Sequence, residues 1–140
     1  MFSEDFAGAE ETARFAEDLI PSTQPDLSSD EENAVGALPS GSALLIVKSG
    51  AGLGSRFLLD ADITLAGRHP DADILLDDVT VSRKHAEFKR AGKLFQVSDL
   101  GSMNGLYVNG TQVDSVSLKN EDEIQIGKYR MTFYAAEADR

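Results

Sequence analysis

The stretch AGRHPDADILLDDVTVSRKHAEF, residues 66–88, carries the pattern that decides the fold. Within it, DILL and HAEF are short apolar runs, and Val79 and Val81 alternate with polar residues. Such short runs indicate β-strands, because a helix needs a longer periodic segment. The row from Ser82 to His85 then places a hydroxyl, two cations and an imidazole together, in a chain whose formal net charge is -11. The stretch therefore predicts short strands joined by a loop that carries positive charge.

The same pattern continues on both sides of this stretch. The further apolar runs are ALLIVKS, SRFLLD, ITLAGR, KLFQVSDL, LYVNGTQV, EIQIG and YRMTFYAA. GAGLG, Ala91-Gly92 and Asn109-Gly110 are turn signals between or within them. Many short strands without a long amphipathic helix predict an all-β sandwich of about eleven antiparallel strands. Because the loops of a sandwich gather at its ends, we expect a binding site in the polar segments between strands.

The negative charge is concentrated before the strands begin. Residues 1–41 hold ten acidic side chains and one basic one, whereas residues 42–140 hold 14 and 12. From Pro21 to Gly41, Pro, Ser, Gly and acidic residues dominate, and apolar periodicity is absent. Such a segment buries too little apolar surface to offset the entropy of ordering it. We therefore expect a disordered acidic tail over 1–41, a folded domain over 42–136 and a short C-terminal tail over 137–140.

The composition argues against several classes of function. There is no cysteine, and two histidines are too few for a histidine-based metal cluster, so we expect neither metal nor cofactor. The acidic balance disfavours general nucleic-acid binding. No apolar run approaches the roughly 20 residues that span a bilayer, and the first residues do not read as a signal peptide. We therefore expect a cytoplasmic monomer that binds neither membrane nor nucleic acid.

Three polar segments between the strands carry the candidate chemistry: Gly67–Pro70, Ser82–His85 and Gly101–Gly105. They offer two guanidinium groups, two hydroxyls and an Asn amide, with glycines that let backbone N–H groups face outward. This set of donors suits a tetrahedral dianion, because the planar fork of Arg donates hydrogen bonds in pairs and hydroxyls complete the coordination. Taken alone, a segment of each kind is more often a plain turn or a solvated loop than a binding site. Only their co-occurrence favours a phosphate site.

An enzyme is one alternative, and the residues disfavour it. Ser82 and His85 are close in sequence, but no orienting acid and no nucleophile-elbow turn accompany them. GAGLGS lacks the helix and the Lys of a phosphate-binding P-loop, and DADILLDD lacks the ligand spacing of a calcium loop. We therefore expect no catalytic residues. A sandwich scaffold without any phosphate role remains a second alternative.

Four short motifs follow one another in this chain: Gly67-Arg68, Ser82-Arg83-x-His85, Ser102-x-Asn104-Gly105 and Asn109-Gly110. The set resembles the forkhead-associated (FHA) domain, a β-sandwich that binds phosphothreonine peptides. The resemblance covers residues 43–134, and it extends to actinobacterial FHA regulators of the GarA/OdhI type. LPSGSALLIVKSG, the opening stretch and DEIQIGKYRMTF are similar to theirs nearly throughout. The resemblance implies an FHA sandwich and a regulator of other proteins.

The resemblance also implies roles for individual residues. Arg68 and Ser82 would hold the phosphate, and Arg83 would add a charge-assisted bond. Asn104 would bond the ligand backbone beside the phosphothreonine. The remaining implied residues line the same loop or support the site and its turns: Ser102, Met103, Gly67, His85, Gly105 and Asn109. The chain departs from the family at Leu106, where Thr is usual, and at Lys84, where these regulators have Arg; neither change removes a phosphate ligand.

Ahead of the domain, EETARF at residues 10–15 resembles the motif that a Ser/Thr protein kinase phosphorylates in these regulators. Thr12 matches the second Thr of the family's pair and Glu11 replaces the first, so Thr12 is the candidate phosphorylation site. Phe15 stands three residues later, the offset at which FHA domains commonly read specificity. A short amphipathic helix is an alternative for this stretch, although it would be marginal alone.

The resemblance implies a switch. Unphosphorylated, the protein would bind and inhibit the E1 component of 2-oxoglutarate dehydrogenase, with glutamate dehydrogenase as a further candidate target. Phosphorylated at Thr12, its tail would be captured by its own FHA pocket. About 30 flexible residues give an effective concentration of roughly millimolar, so a Kd of about 1 μM would favour the closed form by about 10³. The alternative is an adaptor that binds phosphothreonine sites on partner proteins in trans.

Overall fold

The computed structural model describes residues 27–50 and 52–140, which contain eleven strands, one α-helix and a 3₁₀ turn. The strands are β1 (Ala43–Ser49), β2 (Arg56–Leu59), β3 (Ile63–Gly67), β4 (Ile74–Leu75), β5 (Ala86–Ala91), β6 (Leu94–Asp99), β7 (Leu106–Val108), β8 (Thr111–Val113), β9 (Ser115–Ser117), β10 (Glu123–Ile126) and β11 (Tyr129–Ala135). The helix is α1 (Ser29–Gly36), and the 3₁₀ turn is Glu137–Asp139. Thr12 and Phe15, the candidate phosphorylation motif, lie outside the described residues.

The strands form two sheets. The six-stranded sheet has the order β2-β1-β11-β10-β7-β8, and the five-stranded sheet has the order β4-β3-β5-β6-β9. The pairs are antiparallel except for β3 and β4, which run parallel. The predicted all-β sandwich of eleven short strands is confirmed, with one parallel pair that the sequence does not reveal.

The core lies between the sheets and follows from alternation along the strands. Tyr129, Met131 and Phe133 of β11 point inward, while Phe95 of β6 faces them from the other sheet. The rings of Phe95 and Phe133 meet edge to face with centroids 5.7 Å apart. This period of two directs one face of each strand inward and gives the sandwich its single core.

One end of the sandwich collects the polar segments. Ala66, just before the end of β3, pairs with Ala86, the first residue of β5. Ile126, the last residue of β10, pairs with Leu106, the first residue of β7. The loops that join the strands at this end are held against one another by hydrogen bonds between loops. We call this the loop end, and it consists of residues 68–73, 76–85, 100–105 and 127–128.

A helix stands where the sequence predicts a disordered linker. α1 begins after a capping box in which Ser28 Oγ accepts a hydrogen bond from the Glu31 amide at 3.1 Å, and Glu31 Oε1 accepts one from the Ser28 amide at 3.0 Å. Val35 is 4% exposed and packs against the outer face of the six-stranded sheet. The helix has only two turns and one buried apolar residue, so its periodicity is hidden among acidic neighbours.

Smaller differences concern the strands. Val79 and Val81 lie in a loop rather than at the start of a strand, because the Val81 amide donates to the Asp78 carbonyl and closes a turn. β9 was not predicted, since Val116 is its only apolar residue. The turn at Asn109-Gly110 is confirmed, with φ of 52° and 82°, the left-handed conformation that this type of hairpin turn requires.

Candidate functional site

Arg68 leaves β3 at the loop end, and its backbone is fixed there. Its amide donates to the Ser82 carbonyl at 3.0 Å, and the next amide, that of His69, donates to the Arg83 carbonyl at 3.2 Å. The Arg68 side chain is exposed, and its Nε donates to the Val81 carbonyl at 3.0 Å. This bond orients the guanidinium fork. Among the described residues no contact occupies its terminal nitrogens, which leaves them for an anionic ligand.

Gly67 allows this approach. A Cβ at Gly67 would lie 2.1 Å from the Arg83 carbonyl oxygen and 3.1 Å from the Ser82 carbonyl oxygen. Real Cβ contacts do not come so close, and the obstacle is backbone rather than a flexible side chain. Gly67 therefore lets the end of β3 lie directly against the segment that carries Ser82 and Arg83, which agrees with the supporting role expected for it.

Ser82 joins two of the three polar segments. Its half-buried Oγ accepts a hydrogen bond from the Met103 amide at 3.0 Å, across 21 positions of sequence. The hydroxyl hydrogen is not used by that bond, so Ser82 keeps one donor for a ligand. The Met103 side chain is 90% exposed and reaches into solvent at the same place.

His85 is the buried centre of the loop end. It is fully buried, and its Nδ1 accepts a hydrogen bond from the Ser82 amide at 3.0 Å. An acceptor at Nδ1 requires the neutral tautomer with hydrogen on Nε2, which donates to the Gly105 carbonyl at 2.8 Å. His85 therefore ties the Ser82 segment to the Gly105 turn, and it is a structural residue, as expected.

Asn104 lies against Thr80, a residue that the sequence did not single out, in the loop that also carries Ser82. Its Nδ2 donates to the Thr80 carbonyl at 2.9 Å. Thr80 in turn donates to Asp78 Oδ2 at 3.1 Å and accepts from the Lys128 amide at 3.0 Å. Asn104 is exposed, so its amide oxygen and second amide hydrogen face outward, as a residue that bonds a ligand backbone needs.

Ser102 lies in the same loop as Met103 and Asn104, and its hydroxyl is engaged within that loop. Its hydroxyl donates to Asp99 Oδ1 and accepts from the Gly105 amide at 3.0 Å. Asp99 Oδ2 also accepts from the amides of Gly101 and Ser102, at 3.1 and 3.2 Å. Ser102 thus braces its own loop, and its hydrogen is directed away from a ligand. Asp99, at the end of β6, organises this turn, and only its place at a strand end, before a Gly-Ser pair, signalled such a role.

A groove of about 310 Å³ adjoins Asn104. Its walls come from the 76–85 loop, from β7 and from the β10–β11 turn. The lining residues are Thr80, Asn104, Tyr107, Gln125, Gly127 and Lys128. Sequence reasoning missed all of these except Asn104, because they come from four separate segments that no local pattern connects. The groove offers a place for a ligand residue next to the one held by Arg68 and Ser82.

Asn109 and Arg83, two further residues that the sequence analysis names, lie in the β7–β8 turn and beside Ser82 respectively. Asn109 lies in the β7–β8 turn, where its Oδ1 accepts from the Glu123 amide at 2.9 Å and its Nδ2 donates to Asp122 at 2.9 Å. It braces this hairpin against the neighbouring strand without touching the ligand surface. The Arg83 side chain is exposed, and no hydrogen bond or ion pair joins it to another described residue. Its guanidinium group is therefore available to a ligand next to Ser82.

Residues 27–50 and 52–140 contain neither a metal-binding cluster nor a membrane-spanning helix. No cluster of three or more His, Cys, Asp or Glu side chains suited to a metal ion occurs among those residues. No helix among them is long and apolar enough to cross a membrane. The loop end instead brings guanidinium, hydroxyl and amide donors together, and four Asp carboxylates also lie within it.

Comparison with known proteins agrees with this geometry. The FHA domain family matches residues 64–127, which include every residue of the loop end except Lys128. The chain belongs to the FHA-domain regulators. It is 55% identical over 134 residues to the glycogen accumulation regulator GarA of Mycolicibacterium smegmatis, covering 94% of this chain and 84% of that one. It is also 55% identical over 128 residues to the oxoglutarate dehydrogenase inhibitor of Corynebacterium jeikeium, covering 91% and 89%.

Solved structures extend the comparison to the fold of the FHA domain. A structure determined in work on phosphothreonine-dependent FHA domain interactions superposes with a TM-score of 0.62 and 31% identity, covering 66% of this chain and 95% of that one. The regulator relatives cover much more of the chain than an FHA domain alone. The match to the Mycolicibacterium smegmatis relative covers 94% of this chain, which leaves about eight residues outside it, so the matched span includes Thr12.

Proposed function

We propose that this FHA regulator, when unphosphorylated, binds and inhibits the E1 component of 2-oxoglutarate dehydrogenase. Homology over nine-tenths of the chain to an oxoglutarate dehydrogenase inhibitor supports this target. The observation that carries the proposal is the bond between Ser82 Oγ and the Met103 amide at 3.0 Å. It brings the segments of Arg68, Ser82 and Asn104 together as one surface of donors, at the end of the sandwich where a partner has free access.

The arrangement at the loop end suits phosphothreonine. The terminal nitrogens of Arg68 would donate in a pair to two phosphate oxygens, and the Ser82 hydroxyl would donate to a third. Arg83 would add charge from the rim, and Asn104 would bond the peptide backbone. The groove beside Asn104 would receive the residue that follows the phosphothreonine. Arg is well suited to this task because it stays charged and is only weakly hydrated.

The same surface serves as the receptor for the chain's own tail. A Ser/Thr protein kinase would phosphorylate Thr12, and the phosphate would add a charge of about -1.5 to -2 with three strong acceptor oxygens. The tail would then occupy the loop end and exclude the target enzyme. Thr12 without phosphate has no comparable hold on Arg68, so the unphosphorylated tail leaves the surface open. Phe15 would enter the groove three residues after the phosphothreonine.

Two finer points belong to the same proposal. The regulatory tail would occupy the region before the domain, and the FHA unit would run from residue 42 to residue 136. Glutamate dehydrogenase would be a second target, bound through the same loop end. The protein would act as a monomer in the cytoplasm, because the switch needs only one chain.

The test compares unphosphorylated protein with protein phosphorylated at Thr12. Purified 2-oxoglutarate dehydrogenase E1 component is assayed with each form, and the backbone amides of Ser82, Met103 and Asn104 are followed by NMR. We expect inhibition by the unphosphorylated form alone, and shifts of these amides on phosphorylation. Thr12→Ala is the control, because it should inhibit whether or not kinase is present.

Two results would overturn parts of the proposal. If phosphorylation leaves those three amides unshifted, self-capture does not occur. If the E1 component is unaffected by the unphosphorylated protein, the target is wrong. An adaptor that works in trans would behave differently again, since full-length protein phosphorylated at Thr12 would then bind a phosphopeptide as tightly as protein that lacks residues 1–26.

A further inference from the structure

The outer face of the six-stranded sheet is covered by α1. Strand β1 is buried on both sides, with Leu45 facing the core and with Leu44 and Ile46 facing outward at 6% and 0% exposure. The outward pair forms a separate apolar cluster with Tyr134 of β11 and Val35 of α1. An outer sheet face is normally solvated, so this degree of burial requires a cover. The cover is a segment of the same chain.

Polar contacts hold both ends of the covering segment. At its start, the Lys48 ammonium lies 3.5 Å from Glu31 Oε1 and 5.7 Å from the centre of the Tyr134 ring. At its finish, Asp139 accepts hydrogen bonds from Ser40 Oγ and the Gly41 amide, each at 2.6 Å. Arg90 also donates to the Gly41 carbonyl at 2.9 Å. α1 is therefore docked in one orientation rather than loosely collapsed on the sheet.

The docked helix α1 has a defined direction relative to strand β1. β1 begins at Ala43, opposite Ala135, and ends at Ser49, opposite Arg130. Arg130 follows closely on residues 127–128 of the loop end. Because Lys48 contacts the first turn of α1, while the last turn leads into the start of β1, the helix runs antiparallel to β1. Leu27, the first described residue, therefore lies toward the side of the loop end.

We infer that docking of α1 through Val35, Glu31 and Lys48 positions the tail for capture by the loop end. The inference rests on the function proposed above and deepens its regulation. Leu27 packs against the same apolar cluster, so the chain distance from Thr12 to the docked domain is counted to Leu27 and not to β1. Those three residues are positioning residues, since none of them touches the phosphate-binding surface.

The tether length gives the size of the effect. Thr12 stands fifteen positions before Leu27 but 31 positions before Ala43. A flexible chain of those lengths has an r.m.s. span of about 21 Å or about 31 Å. Effective concentration falls roughly as the −3/2 power of length, so release of α1 would lower the ratio of captured to free tail about threefold.

The experiment uses the full chain phosphorylated at Thr12 and a fluorescent phosphothreonine peptide that copies residues 8–18. The captured tail competes with this probe, so weaker capture appears as tighter apparent binding of the probe. Val35→Asp places a charge in the apolar cluster and should release α1, giving about threefold tighter apparent binding. Asn33→Asp is the matched control, because it adds the same charge on an exposed position of the same helix and should behave as wild type.

A second variant keeps α1 docked and lengthens the tether. Sixteen Gly/Ser residues inserted between Asp26 and Leu27 restore the longer tether, and they should give the same threefold change. NMR amide shifts report whether α1 is released and the domain intact in Val35→Asp. The inference is overturned if α1 is released without any change in competition, or if the insertion has no effect. If Val35→Asp leaves α1 docked, the effect of the Gly/Ser insertion alone decides whether tether length controls capture of the tail.

Failure of the proposed function gives a different result. In that case phosphorylated and unphosphorylated wild type would bind the probe equally, because no tail would compete. A wild-type protein that shows competition, together with variants that do not alter it, would leave the proposed switch standing and remove only the positioning role of α1. Unphosphorylated Val35→Asp should bind the probe as unphosphorylated wild type does, which checks that the pocket is intact.

Discussion

Ser82 and Met103 meet at the loop end, where the Ser82 hydroxyl oxygen accepts a hydrogen bond from the Met103 amide at 3.0 Å. The bond joins two loops that belong to different parts of the chain. It also fixes the direction of the hydroxyl, whose hydrogen is left for a ligand. One side chain therefore serves both the assembly of the site and its chemistry.

Replacing Ser82 should separate these two contributions. Ser82→Ala removes a donor to the phosphate and leaves the Met103 amide without its partner. We expect about tenfold or greater loss of phosphopeptide affinity, since a hydrogen bond to a charged group contributes about 1.5–3 kcal/mol, and a loss of stability of about 1 kcal/mol. Calorimetric titration and urea unfolding measure the two effects. Ser117→Ala, on an exposed edge strand, should alter neither.

The Arg68 side chain should matter for its shape as well as its charge. Its Nε is engaged with the Val81 carbonyl, which aims the terminal nitrogens at the ligand. Arg68→Ala should reduce phosphopeptide affinity by about 10²-fold, and Arg68→Lys should recover only part of it, because Lys lacks both the Nε–H that bonds the Val81 carbonyl and the planar fork that donates in pairs. Titration with the Thr12 phosphopeptide measures this. Arg130→Ala removes an equal charge from an exposed outer position and should leave the affinity within about twofold of wild type.

The sequence was sufficient for the parts of the site that depend on residue type at a strand end. Arg68, Ser82 and Asn104 come together at the loop end, and His85 is buried as expected. The role of Ser102 was not predictable, because its hydroxyl turns inward to Asp99 and residue type alone cannot tell a brace from a ligand. The groove residues were missed because four separate segments supply them.

The fold was also predictable only in part, because the strands could be predicted from the sequence and α1 could not. Periodicity gave the strands, but it missed α1, whose two turns are rich in acidic residues. A signal for α1 existed in β1: the run Ala43–Val47 is apolar at every position and buried throughout, whereas a strand with one solvated face should alternate. An unbroken apolar run in a sandwich strand therefore predicts that something covers the outer face, although it does not say what.

Gly67 should tolerate no side chain. Gly67→Ala would place a Cβ 2.1 Å from the Arg83 carbonyl oxygen, so the Ser82–Arg83 segment must move away. We expect a loss of stability of about 1–3 kcal/mol, as for other overpacked sites, together with weaker phosphopeptide binding. Chemical unfolding and titration report the two. Gly36→Ala is the control, because nothing lies within 4 Å of its Cβ position; wild-type stability for Gly67→Ala would contradict the close contact.

His85 should be more important for stability than its neighbours at the surface. His85→Phe keeps a ring of similar breadth but leaves both the Ser82 amide and the Gly105 carbonyl without partners in a buried place. Each unsatisfied buried group costs about 1–3 kcal/mol, so a loss of about 3 kcal/mol is expected. Urea unfolding measures it. His69→Phe, at a partly exposed position, should cost less than about 1 kcal/mol, and equal losses for the two variants would argue against the buried bridge.

Docking of α1 should weaken in acid. The hydrogen bond from the Ser28 amide lowers the pKa of Glu31, and the nearby Lys48 ammonium lowers it further. A carboxyl whose pKa is lower in the docked state stabilises that state above its ordinary pKa, and the contribution is lost as the pH falls through the lowered value. NMR signals of α1 should therefore move toward those of a free segment as the pH falls below the ordinary glutamate value of 4.5. Glu31→Gln should weaken docking at neutral pH and flatten the transition; an unchanged transition in this variant would show that Glu31 does not control it.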